Sequence, residues 1–167
     1  MKTSILGLAV VAVVASLASG NAQAIRYDQN GSGTCNGALP FFDQNLRFRP
    51  LAVANIGSTN AFVTCTQASR ETSPASATEA RVYLHNTSST SATVSCIYRP
   101  GEEVGAASPT AFPKNLVLAA GQTGFIIWTS AADNAGNSFE RPANFSCNLP
   151  VGFELEFIVV DQTPDLI

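Results

Sequence analysis

The stretch ATVSCIY at residues 92–98 decides the fold class. Ala92, Val94, Cys96 and Tyr98 fall on one side of an extended chain, and Thr93 and Ser95 on the other. Successive side chains of a strand point to opposite faces, so this pattern predicts a strand with one buried face. FVTCTQ at 62–67 and NFSCNL at 144–149 are built alike: each sets one cysteine after Ser or Thr inside a short apolar run.

Outward from these segments, alternation with a period of two dominates and helical periodicity is almost absent. LRFR at 46–49, LAVANI at 51–56, ARVYLHN at 80–86, NLVLAA at 115–120, GFIIWTS at 124–130 and FELEFIVV at 153–160 join the cysteine strands, for about eight strands in all. Gly, Ser, Asn and Pro punctuate them. In the last segment Phe153, Leu155, Phe157 and Val159 are expected on one face, opposite Glu154 and Glu156. Strands with one apolar face each and no helix to cover them must pack sheet on sheet. The expected fold is all-β: an antiparallel β-sandwich of immunoglobulin-like or jelly-roll type with two disulfides. Trp128 beside a disulfide fits the first type. Arg47 and Arg49 are expected outward, meeting Glu154 and Glu156.

Lys2, an apolar run from Ile5 to Leu17 and the small-x-small Ala22-Gln23-Ala24 read as a secretory signal peptide over 1–24, cut before Ile25. Residues 25–167 then form one domain. The whole chain carries a net charge of −3, without blocks of like charge, which speaks against nucleic acid as a partner and against membrane insertion after cleavage. Localisation is expected to be secreted or periplasmic, hence oxidising. Cys35, Cys65, Cys96 and Cys147 are spaced 30, 31 and 51 residues apart, unlike the close pairs of zinc sites. Two disulfides follow. Three pairings are open to four cysteines; the pairing favoured is Cys35–Cys65 with Cys96–Cys147, tying the N-terminal segment to the first hairpin and a central strand to a C-terminal one.

The ordered set CNGALP, LRFRPLAVANIGSTNAFVTC, TVSC and NFSCNLPVG resembles an uncharacterised family of small exported bacterial proteins with four cysteines. That family has a C-x-x-x-L-P start, an Arg-Pro-Leu strand, an Asn-x-Gly turn and N-F-S-C-x-L-P near the end, and no known activity. The likeness covers most of the chain after the leader. It implies export and a bacterial source, and transfers no site residue. In a eukaryotic host the sequons at Asn30, Asn86 and Asn144 would be glycan acceptors.

The sequence assigns no catalytic residue, no cofactor and no metal. His85, the only histidine, ends a strand. Glu102-Glu103 and Glu154/Glu156 are the close carboxylate pairs a glycoside hydrolase would need; the first pair reads as solvated charges in a Gly-Pro loop and the second as the polar face of a strand. Asp133, Asn134, Asn137 and Glu140 do not have the spacing of a calcium loop. A sugar-stacking platform would draw on Trp128, Tyr83, Tyr98 and Phe139, though aromatics in alternating strands usually pack in the core. The long, proline-stiffened connection at 99–114 is the candidate binding loop, with Arg99, Glu102, Glu103, Val104 and Phe112 as its contacts. The expectation is an exported, non-catalytic binding or envelope-associated module whose partner is an unknown protein or glycan surface. A carbohydrate-binding module and a small secreted hydrolase are the alternatives.

Overall fold

A computed structural model describes residues 25–67, 76–101 and 110–163. The segment 1–24, expected as a leader, and three of the expected loop contacts, Glu102, Glu103 and Val104, lie outside the described residues. The elements are β1 (Ile25–Asn30), α1 (Gly31–Thr34), β2 (Cys35–Gly37), α2 (Pro40–Asp43), β3 (Leu46–Arg49), β4 (Ala52–Asn55), β5 (Ala61–Gln67), β6 (Ser76–Asn86), β7 (Ala92–Pro100), β8 (Phe112–Leu118), β9 (Thr123–Thr129), α3 (Ser130–Asp133), β10 (Ala143–Leu149) and β11 (Phe153–Thr163). Every segment expected as a strand is one. β1 and β2 are additional; their sequences, IRYDQN and CNG, carry little alternation.

One sheet runs β3-β4-β11-β6-β9, with β1 also paired on β11; the other runs β2-β5-β10-β7-β8. Their central paths are those of a jelly roll. The chain behaves as one long ribbon: β4 pairs β11, β5 pairs β10, β6 pairs β9 and β7 pairs β8. Curling that ribbon brings β11 onto β6 and β10 onto β7, which closes the two sheets. The immunoglobulin-like alternative therefore falls away. The 99–114 connection sits at the tip of the ribbon. It is shorter than the sequence suggests, because β7 continues through Arg99 to Pro100 and β8 begins at Phe112.

The alternating faces meet between the sheets. Trp128, Tyr98, Phe139, Phe145 and Phe153 are fully buried there. Tyr98 stacks on Phe145 at 5.0 Å and meets Phe139 edge-on at 5.0 Å and Trp128 at 5.6 Å. Phe112 packs inward against Phe139. Trp128 Nε1 donates to the Phe112 carbonyl at 2.8 Å, and Lys114 Nζ donates to the Ile127 carbonyl at 2.7 Å and to Asp133 at 2.8 Å. Those bonds seal the seam between β8 and β9 and occupy polar groups that an edge strand would otherwise expose.

Both disulfides lie within the second sheet. Cys35 joins Cys65 and Cys96 joins Cys147, and in each case the two residues are direct cross-strand partners. Cα separations of 4.0 and 4.1 Å are those of the closer, non-hydrogen-bonded kind of antiparallel pair. The bridges thus fix register inside one sheet, whereas the immunoglobulin bridge crosses between two.

Two buried asparagines close equivalent corners. Asn55 Nδ2 donates to the carbonyls of Thr59 at 3.0 Å and Leu149 at 2.8 Å, and its Oδ1 accepts from Gly57 N. Asn86 Nδ2 donates to the carbonyls of Thr90, Leu118 and Ala119 at 2.8, 3.0 and 3.1 Å, and its Oδ1 accepts from Ser88 N and Oγ. Each is an Asx turn, in N-I-G-S-T and N-T-S-S-T, passing the chain from one sheet to the other. With Asn86 fully buried, the folded domain offers no glycan acceptor at that sequon, and Asn144 Nδ2 is committed to the carbonyls of Arg99 and Gly101. Asn30 is exposed.

Candidate functional site

The outer face of the first sheet takes its character from one irregularity in β11. Phe153 and Leu155 point into the core, as their alternation predicts. Between Leu155 and Phe157 the register against β6 shifts by one residue. Glu156 is the extra residue of a β-bulge, and beyond it the faces exchange. Ile158 and Val160 now fill the core, and Phe157 and Val159 leave it for the outer face. This corrects the expected placement of Phe157 and Val159. The run Phe157 to Val160, four apolar residues in a row, is the sequence signal of the switch, since strict alternation cannot bury all four on one side.

The bulge places Phe157 opposite Tyr83 of β6, which is itself opposite Phe125 of β9. Tyr83 and Phe157 stack at 4.2 Å between centroids with 17° between planes; Tyr83 and Phe125 lie at 5.2 Å and 39°. Phe125 is 45% exposed, and the other two rings are half-buried. On the far side of β11, Asn30 of β1 is the partner of Phe157. A row, Phe125–Tyr83–Phe157–Asn30, therefore crosses four strands at right angles to the chain. Of the four aromatics the sequence offered for a platform, Tyr83 alone reaches the surface; Trp128, Tyr98 and Phe139 are core.

Polar groups border the row. On one side Arg81 ion-pairs with Glu79 and its guanidinium lies 5.8 Å from the Phe125 ring centre. A hydrogen bond to the Tyr83 side chain, with Glu79 nearby, raises the Arg81 pKa, although partial desolvation opposes this. On the other side His85 Nδ1 is 3.8 Å from Glu156 Oε1, and Glu154 pairs with Arg49 at 2.5 Å. The expected Arg49–Glu154 pair thus forms, reaching over the small side chains of Ala52 and Ala54 on the intervening β4. Arg47 does not meet Glu156, which the bulge turns toward His85.

The other expected sites fare differently. Arg99 lies outward on β7 opposite Asn144, and Phe112 is part of the inner packing; neither is a loop residue. Asp133 is committed to Lys114 and to the Thr129 amide, and Asn134 to the carbonyls of Asn137 and Ser138, as in a structural turn. Among the described residues no group of three or more His, Cys, Asp or Glu is arranged to hold a metal, and no helix is long and apolar enough to cross a membrane.

No protein-family model matches the chain, and no curated protein matches it. Several solved structures are similar in outline. An exo-β-1,3-galactanase from Phanerochaete chrysosporium, solved with galactose, aligns with a TM-score of 0.44 and 12% identity over 83% of this chain. The chain spans only 29% of that protein's length. A CBM4 carbohydrate-binding module aligns with a TM-score of 0.36 and 10% identity, over 84% of this chain and 86% of its own. TmCBM61, in complex with β-1,4-galactotriose, aligns with a TM-score of 0.37 and 9% identity, over 80% and 86%.

Proposed function

We propose that this protein is an exported, non-catalytic glycan-binding domain that takes sugar rings on the Phe125–Tyr83–Phe157 row. The observation that carries the reading is the bulge at Glu156. It removes a phenylalanine from a core that would otherwise have held it and sets the ring face-to-face with Tyr83 on the outside. Bulges recur where a strand must re-aim a side chain at a site. Sugar rings present C–H faces that pack on aromatic rings and a rim of hydroxyls that need hydrogen-bond partners. The row supplies the first, and Asn30, His85, Glu156, Arg81 and Glu79 supply the second. The row lies on the outer face of a sheet, which suits capture of a chain better than enclosure of a reacting bond; half-buried His85 and Glu156 stand on that same face. Two bridges buried within one sheet suit an oxidising compartment.

The test is affinity electrophoresis and calorimetry of residues 25–167 against soluble galactan, xylan and mixed-linkage β-glucan. At least one should retard the protein. Tyr83→Ala and Phe157→Ala should then weaken binding about ten-fold or more, the equivalent of losing one or two ring contacts. Phe62→Ala, on the outer face of the other sheet, should not. Retention unchanged in a folded Tyr83→Ala protein, or no retention by any glycan, overturns the proposal.

A further inference from the structure

We infer that the glycan bound on this face is uncharged and lies across the strands, along the row that ends at Asn30. The inference rests on the glycan-binding reading and adds the ligand's class and direction. The row itself contains no acidic or basic residue: three aromatic rings and one amide follow one another from β9 to β1. Four strands at a spacing of about 4.8 Å make it about 14 Å long, room for several sugar rings end to end. Its last member has no side-chain partner among the described residues: Asn30 precedes α1 without capping it through its side chain and is exposed, so its amide faces solvent where sugar hydroxyls can reach it.

The charges beside the row argue against an acidic sugar. A carboxylate or sulfate is held by a cation that has no other partner, since it must be compensated as it leaves water. Here the arginines near the row already have carboxylates. Arg81 pairs with Glu79, Arg49 with Glu154, and Arg26 with Asp28 and Asp161. Arg47 stands on β3, two strands beyond β11 and off the row. Glu156, whose ionic neighbour among the described residues is His85, adds negative potential at the margin. An anionic polymer approaching this face meets carboxylates whose cations are spoken for.

Two polysaccharides of one backbone separate the possibilities: hydroxyethylcellulose, which is neutral, and carboxymethylcellulose, which is acidic. Matched neutral and acidic forms of whichever glycan binds best extend the comparison. The neutral member of each pair should bind at least about ten-fold tighter. Glu79→Gln with Asp28→Asn and Asp161→Asn, which removes the carboxylates paired with Arg81 and Arg26, should narrow that gap by strengthening acidic binding. Among neutral oligosaccharides, affinity should rise with length, and Asn30→Ala should abolish only the last increment. Preference for the acidic member, with Tyr83→Ala still weakening it, overturns this inference and leaves glycan binding standing. Loss from Asn30→Ala that is equal for short and long oligosaccharides overturns the direction. Binding to neither member of any pair overturns both readings together.

Discussion

Asn86→Asp is a nearly isosteric change with a sharp consequence. The Asn86 side chain is fully buried, and its Nδ2 faces three backbone carbonyls at 2.8, 3.0 and 3.1 Å. Aspartate puts an oxygen where those carbonyls expect a donor. If ionised, the carboxylate confronts three oxygens without a cation; if protonated, it can satisfy one of the three. Both burial and the carbonyls favour the neutral acid, so the folded-state pKa of the introduced carboxyl must rise above its unfolded value of about 3.9. The sign of the linkage follows. Below about pH 4 the acid is protonated in both states and the penalty is only the lost hydrogen bonds, about 2–3 kcal/mol. As pH rises, the unfolded chain releases a proton that the folded one retains, and stability falls until the folded pKa is passed. Asn86→Ala loses the same donors and should cost about 2–4 kcal/mol, near 10 °C in Tm, with the pH profile of the unchanged protein. The assay is urea unfolding of all three proteins from pH 3.5 to 8, followed by tryptophan fluorescence from Trp128. Parallel pH profiles for Asn86→Asp and Asn86→Ala would refute the three-carbonyl geometry.

Cys96→Ala with Cys147→Ala should cost about 4 kcal/mol, the loop entropy of a 51-residue separation, and denaturation midpoints in urea would measure it; a loss below about 1 kcal/mol would mean that the bridge does not restrain the unfolded chain. The Tyr98 hydroxyl is buried with no hydrogen-bond partner among the described residues, so Tyr98→Phe should stabilise the domain by about 1 kcal/mol in the same assay. Burial pushes the Tyr98 phenol well up, so it stays neutral in the folded state while the unfolded chain ionises from about pH 10. Stability should therefore decline above that pH, and less steeply in Tyr98→Phe, as thermal melts between pH 9 and 11 would record.

The sequence by itself determined the β class, the strand segments from β3 to β11 and the two-sheet solution, but not β1 and β2. Those depend on local alternation and on the need to bury one face of each strand, both written in neighbouring residues. It did not determine how the sheets are wound. Strand order depends on which distant segments pair, and β4 with β11 or β7 with β8 are equally plausible from their own residues; only the closed ribbon chose the jelly roll. The choice among three cysteine pairings has the same character, because each bridge joins residues that become neighbours only through cross-strand register. The four aromatics offered as a platform show the limit most clearly. Trp128, Tyr98 and Phe139 look no different in sequence from Tyr83, yet three are core and one is surface, according to which side of a strand faces the other sheet. Phe157 is the deciding case. Period-two reading buries it, and its exposure follows from one extra residue in β11, admitted because Ile158 and Val160 fill the core in its place. A slip of one position moves every later side chain to the opposite face, so the surface that carries the proposed function was settled by tertiary pairing, not by the local pattern.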